Sequence, residues 1–305
     1  MPFSDLYRRQ AGLLVRVLPF VAREDCFALK GGTAINLFLR DMPRLSVDID
    51  LTYLPVAPRS ESLAEIDAAM KRIAETARSG SPAEEITETP PKGEKAVTRL
   101  LARGGGAQVK IEVTPVLRGC VYEPELRTVS PAVEDAFGFA EIKVVSFADL
   151  YGGKIVAALD RQHPRDLFDV RDLLANEGID DALRRAFIVY LLSHNRPMSE
   201  VIAPTRKYIS GEFSRGFQGM TAKPVTLDEL TAAREALIAS VIGQMPDGHR
   251  RFLVSFERGA PDWSLLGLDG VADLPAVRWR QQNLDKLGKA DRLALVARLE
   301  EVLGQ

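Results

Sequence analysis

Lys30-Gly31-Gly32-Thr33-Ala34-Ile35-Asn36-Leu37, followed shortly by Arg44-Leu45-Ser46-Val47-Asp48-Ile49-Asp50-Leu51, is the stretch on which the fold turns. Cys26 to Lys30 reads as a short apolar strand running into the glycine turn, and Ala34 to Leu39 as the helix after it. Val47 to Leu51 alternates apolar and acidic side chains, the period of a second strand. Residues two apart on a strand share a face, so Asp48 and Asp50 project together while Val47, Ile49 and Leu51 anchor the strand. Two adjacent carboxylates repel, and their natural partner is a divalent cation. The plain alternative is a solvated strand face, although Asp is disfavoured inside strands. Between the first strand and the helix, backbone N–H groups and the Thr33 hydroxyl can cradle phosphate oxygens. The plain alternative there is a tight turn in which glycine supplies a positive φ.

Working outward, the first 25 residues read as a helix, with Pro19 ending or kinking it. Ser62 through Arg78 is amphipathic, with Leu63, Ile66, Met70 and Ile73 on one face. The Pro-, Gly-, Ser-, Thr- and Glu-rich stretch from Ser79 to Gly93 reads as a mobile surface loop. Val97–Arg103, the Gly104-Gly105-Gly106 turn and Gln108–Val113 read as a β-hairpin, which places a third acid, Glu112, on a strand between apolar neighbours. At Ser146 the character changes. Ser146 and Asp149 form a capping box for a helix to about Leu159. Pro164 opens another helix, which runs to Asn176 and is closed by Gly178. The expectation is an α/β (α+β) protein: a mixed-sheet core over residues 1–145 and a mostly helical region over 146–305, in which 146–178 completes the site.

The chain has 305 residues, 46% hydrophobic and 27% charged, with 40 Lys plus Arg against 42 Asp plus Glu. That near-neutral balance excludes a generic basic nucleic-acid coat, so any nucleic acid must meet a local basic patch. Three histidines and two cysteines, Cys26 and Cys120, offer neither a paired-histidine metal site nor a disulfide framework. No apolar run is long enough to cross a bilayer, and the expected compartment is the cytoplasm. Basic residues scattered through the C-terminal region, among them Arg184, Arg196, Arg206, Arg250 and Arg280, could guide RNA phosphates if they converge on one face.

Gly31-Gly32-Thr33, a helix, then Ser46-Val47-Asp48-Ile49-Asp50-Leu51 resembles the signature of the DNA-polymerase-β-type nucleotidyltransferase superfamily. With Arg44 included, the pattern is similar to the AbiEii/AbiGii-type (MenT-like) toxin nucleotidyltransferases. Asp149-Leu-Tyr-Gly-Gly-Lys154, then Arg161, then Arg165-Asp166-Leu-Phe-Asp169 resembles that family's later motifs, a helix-borne Lys followed by Arg-Asp-x-x-Asp. The likeness spans roughly residues 26–175 and is specific through the combination of motifs. It implies NMP transfer from an NTP to an acceptor hydroxyl with release of pyrophosphate. The implied acceptor is the 3′ end of tRNA, the cofactor Mg²⁺ (or Mn²⁺), and the partner a separately encoded antitoxin.

Residue by residue, the resemblance gives Asp48 and Asp50 the metal, with Glu112 as the third carboxylate. Gly31, Gly32 and Thr33 take the phosphates and Lys154 the triphosphate. Asp169 becomes the orienting acid, while Arg161 and Arg165 become phosphate or RNA contacts. For the two arginines the competing reading is salt bridging to Asp166 and Asp169. The choice of general base between Glu112 and Asp169 stays open. Two other readings stay beside this one: transfer to a small molecule such as an aminoglycoside, or to a protein side chain, and a non-catalytic binding module.

Overall fold

Seven strands form one mixed sheet: β1 (Phe27–Lys30), β2 (Asp48–Tyr53), β3 (Glu85–Thr89), β4 (Arg99–Gly104), β5 (Ala107–Arg118), β6 (Glu125–Thr128) and β7 (Glu141–Val144). Their order is β3-β4-β5-β2-β1-β7-β6, with β2 parallel to β5, β1 parallel to β7 and the other neighbours antiparallel. The computed structural model describes residues 3–80, 83, 85–91, 93 and 96–304. The chain divides into two units, Met1–Ser146 with Phe217–Val225, and Phe147–Gly216 with Thr226–Gln305.

In the first unit, period-two patterning decides what is buried. Ile49 and Leu51 of β2 and Val109, Ile111 and Val113 of β5 are in the core, while Asp48, Asp50 and Glu112 stay half-exposed. The β4–β5 hairpin closes through Gly105 and Gly106, both at positive φ, the geometry of a two-residue turn that only glycine adopts cheaply. Helix α1 (Asp5–Val21) starts on the Ser4 side chain, buries Leu13, Leu14, Val17 and Leu18, and runs past Pro19. Helix α3 (Arg59–Ser79) buries Ile66, Met70 and Ile73, as its amphipathic spacing requires.

One expectation changes, one helix is borne out in a different helical form, and one later segment joins the first unit. The stretch read as a loop between 79 and 93 holds β3, because Ile86 turns into the core and the segment pairs with β4 from Glu85↔Arg103 to Thr89↔Arg99. The segment read as a helix after the glycine turn is a single α-turn, α2 (Gly31–Thr33), and then a π-helix over Ala34–Leu39. The Asn36 side chain takes the Gly32 carbonyl at 2.9 Å, competing with the α-helical ladder, and Arg40 N–H reaches back five residues to Ile35. Residues 217–225 belong to the first unit. Met220 accepts from Leu45 N–H, Ala222 donates to Pro43, and Arg44 bridges Thr221. A short helix, α4 (Pro131–Phe137), and strands β6 and β7 complete the unit.

The second unit is helical: α5 (Phe147–Arg161), α6 (Pro164–Asn176), α7 (Asp181–Leu192), α8 (Met198–Ile202), α9 (Ser210–Gly216), α10 (Leu227–Gly243), α11 (Asp247–Glu257), α12 (Pro275–Asp285) and α13 (Lys289–Leu303). α5 starts directly after Ser146, and Asp149 accepts a hydrogen bond from the Tyr190 hydroxyl at 3.0 Å. Gly178, at positive φ, closes α6 by donating to Leu173. Gly152 explains itself by packing: a Cβ there would lie 2.9 Å from the Phe187 backbone N, so α7 comes against α5 at this point. Trp263, half-buried, packs on Phe252 and Phe256. Among the described residues no helix is long and apolar enough to cross a membrane.

Candidate functional site

The glycine turn and the aspartate strand are fastened together. Gly31 sits at φ +75°, and a Cβ there would come within 2.8 Å of Asp50 Oδ2. A Cβ on Gly32 would meet Arg44 Nη2 at 2.7 Å and Ser46 Oγ at 3.2 Å. Thr33, 1% exposed, donates its hydroxyl to the Asp48 carbonyl at 2.5 Å. Gly31 is favoured by its positive φ, a side chain on Gly32 would have to displace the buried Arg44 guanidinium, and the Thr33 proton is spent on the strand rather than held for a ligand. Arg44 is fully buried with Nη1 on the Leu45 carbonyl, and its guanidinium lies against Gly32.

Strand register sets Lys30, Asp50, Glu112 and Arg99 in one row across β1, β2, β5 and β4, and places Asp48 beside Lys110. Glu112 accepts from Lys110 Nζ at 2.8 Å and from Arg99 Nη2 at 2.5 Å. Burial pushes the Glu112 carboxyl up, but the Lys110 and Arg99 hydrogen bonds and charges outweigh it and hold the pKa below its ordinary value. Burial likewise acts against the Lys110 cation, and is outweighed by Glu112, Asp48 and Asp50, so its pKa rises. At Lys30 burial wins over the attraction of Asp50, Cys120 and Glu112, and the pKa falls. Three acids thus sit among three cations, a pairing that alternation on β5 could have signalled, since Lys110 and Glu112 share a face.

Among the described residues no group of three or more His, Cys, Asp or Glu could hold a metal ion. Asp48 and Asp50 still form a pair of hard oxygen donors on one strand face, which fits Mg²⁺, a cation commonly bound by one or two carboxylates plus substrate phosphates. Glu112 stands in the neighbouring strand opposite Asp50, engaged by its two cations.

The second unit carries the other motif residues in a buried cluster. Lys154 Nζ on α5 lies 2.8 Å from Asp166 Oδ1 and 3.0 Å from Asp169 Oδ2 on α6, with all three side chains almost fully buried. Arg161, largely exposed, reaches Asp166 Oδ2 at 2.6 Å. For Asp166 burial raises the pKa, but Lys154 and Arg161 outweigh it and hold the carboxyl far below its ordinary value. The salt-bridged reading of Arg161 is the one observed, and Asp166, given no role from sequence, is the hub. His163 caps α6 by accepting from Arg165 N–H. The basic residues expected to guide RNA are largely occupied: Arg196 by Asp160 and Glu200, Arg206 by Glu235, Arg250 and Arg184 by backbone carbonyls, and Arg280 by the His194 and Arg196 carbonyls.

Residues 12–283 match the family described as "Nucleotidyl transferase AbiEii toxin, Type IV TA system", which covers most of the chain. The chain belongs to the AbiEii nucleotidyltransferase toxin family. Its fold is similar to that of the nucleotidyltransferase toxin MenT4 from Mycobacterium tuberculosis H37Rv, with a TM-score of 0.60, 16% sequence identity, and 95% of this chain and 92% of that one covered. A search of curated proteins returns no match. As an AbiEii protein the chain is a nucleotidyltransferase toxin of a toxin–antitoxin system, which implies an NTP substrate and an antitoxin partner.

Proposed function

We propose that this AbiEii toxin transfers a nucleoside monophosphate from an NTP to the 3′ end of tRNA, with Mg²⁺ as cofactor, in the cytoplasm, and that a separately encoded antitoxin restrains it. The observation that carries the reading is the fastening of the Gly31-Gly32-Thr33 turn to the strand of Asp48 and Asp50. The acceptor hydroxyl gives its proton to the general base, Glu112 or Asp169, as its oxygen bonds to the α-phosphorus; the bond from that phosphorus to the bridging oxygen breaks, and pyrophosphate leaves. Asp48 and Asp50 hold the cation; bound there, it neutralises triphosphate charge and lowers the pKa of the attacking hydroxyl. The Gly31 and Gly32 backbone lets the phosphates approach, and Thr33 acts by locking the turn to Asp48. Glu112 becomes a ligand or base only by releasing Lys110 and Arg99. Lys154 and Asp169 keep the roles that the resemblance implies, triphosphate contact and orienting acid, and Lys154 must exchange its partners to take up phosphate. Arg161 and Arg165 remain candidate phosphate contacts.

A polyanionic acceptor is favoured by a cavity of about 380 Å³ in the first unit, lined by Arg8, Arg9, Arg16, Gly104 and Gly105. The test is incubation of the protein with Mg²⁺, each α-labelled NTP in turn, and total tRNA. Label on RNA that vanishes in Asp48→Ala, and weakens when Arg8, Arg9 and Arg16 become Ala, supports the reading. Label on protein or on a small molecule moves the acceptor and keeps the transfer chemistry. No label and no NTP binding leaves the binding module.

A further inference from the structure

We propose that Arg118, with Arg59 at the head of α3, forms a binding site for a phosphate group, apart from the Asp48–Asp50 pair. Arg118 ends β5 and is 8% exposed, yet its Nε and Nη1 have no hydrogen-bond partner. An arginine cannot shed its proton to escape burial, so the site holds a desolvated, unsatisfied cation. Burial acts against the charge first, the Arg59 cation adds repulsion, and attraction from Tyr53 offsets them only in part. Tyr53, the register partner of Arg118 on β2, directs its hydroxyl to Glu65.

Arg59 is also the first residue of a 21-residue helix. The residue before it, Pro58, offers no side-chain cap, so first-turn N–H groups and the positive end of the helix dipole add to the two guanidinium groups. Glu61 is the acid of that turn, and it is exposed. Two cations and a helix N-terminus suit a multiply charged oxyanion, and the planar guanidinium fork matches phosphate through paired N–H···O bonds. Tyr53 lies three residues beyond Asp50 on β2, on the order of 10 Å along the strand, so one phosphate cannot serve both positions.

The test uses the full chain without divalent cations and follows the thermal unfolding midpoint with inorganic phosphate, ATP, or a short single-stranded RNA. Phosphate is expected to raise the midpoint. Arg118→Met should weaken that response about tenfold or more while leaving the unliganded midpoint equal to or above that of the parent, because an unpaired buried charge has gone. Arg59→Ala, an exposed position, should also weaken the response and carries the test if Arg118→Met does not fold. Competition by RNA at concentrations where ATP fails assigns the phosphate to nucleic acid, and the reverse assigns it to a nucleotide. The proposal is overturned if phosphate has no effect on the parent chain. It is also overturned if Arg118→Met and Arg59→Ala respond as the parent does, or if Asp48→Asn with Asp50→Asn abolishes the response.

Discussion

The two units handle charge in opposite ways. On the sheet, Asp48, Asp50 and Glu112 stay half-exposed among Lys30, Lys110 and Arg99, in two rows that strand register imposes. In the helical unit, Lys154, Asp166 and Asp169 are withdrawn from water almost completely. A half-exposed carboxylate can exchange a lysine for another cation at small cost, because water screens the change. A buried triad does so only at a larger cost, because a lysine drawn away strands its two carboxylates in a low-dielectric interior. The difference separates residues whose loss should affect chemistry alone from residues whose loss should also affect folding.

The largest expected effect tests the first half of that contrast. Asp48→Asn with Asp50→Asn should lower NMP transfer by about a thousandfold or more, since several kcal/mol of charge stabilisation go with the pair. The unfolding midpoint should hardly move, as a denaturant titration run beside the transfer assay can check. A collapse of the fold would break the comparison.

Lys154→Met should remove about 3–5 kcal/mol of stability by leaving Asp166 and Asp169 buried without their lysine. Adding Asp169→Leu should restore part of that loss without restoring activity, which separates the structural part of the triad from the chemical part. Chemical denaturation of the single and double variants measures both.

Gly152 and Gly153 sharpen the point on a smaller scale. Gly152→Ala should cost about 1–3 kcal/mol, because its Cβ would press on the Phe187 backbone. At Gly153 the nearest atoms belong to the Tyr190 ring at 3.6 Å, so Gly153→Ala should be neutral or stabilising by up to about 1 kcal/mol. Equal effects at the two positions would contradict the packing described for α5 against α7.

The smallest effect is the dependence on pH. Burial lowers the pKa of His163, His194 and His249 below the ordinary 6.5, so each contributes stability above that pH that is lost as pH falls through its folded value. Asp166 and Glu112 are also depressed, from 3.8 and 4.5, and their contribution is lost only at more acidic pH. Unfolding midpoints should therefore fall gently below about pH 6.5 and more steeply below about pH 4. A midpoint that rises between pH 7 and 5 would contradict the first part.

The legible part of the molecule was local. Alternation in Asp48–Leu51 and Val109–Val113 marked β2 and β5, and the glycines marked the hairpin turn. β6 was not legible because its four residues lie mostly exposed at a sheet edge and carry no buried face. β3 rests on one core residue, Ile86, within a Pro- and Glu-rich stretch. In the site, Asp48 and Asp50 followed from strand period, whereas the partners of Glu112 and Lys154 depend on which strands and helices become neighbours, and spacing does not encode that. Arg44 was visible in the motif, but its burial against Gly32 is a product of folding.

The return of Phe217–Val225 to the first unit bears on the time at which a toxin ripens. Hydrogen bonds from Leu45 and to Pro43, just ahead of the Asp48 strand, need Met220 and Ala222. On a ribosome, the roughly eighty residues between Ser146 and Val225 take on the order of 4–16 s to emerge. Throughout that interval the segment leading into the aspartate strand lacks its last neighbour. The nascent chain thus completes its sheet-bearing unit only after Val225 has been added, and a message truncated before that point yields an unfinished unit.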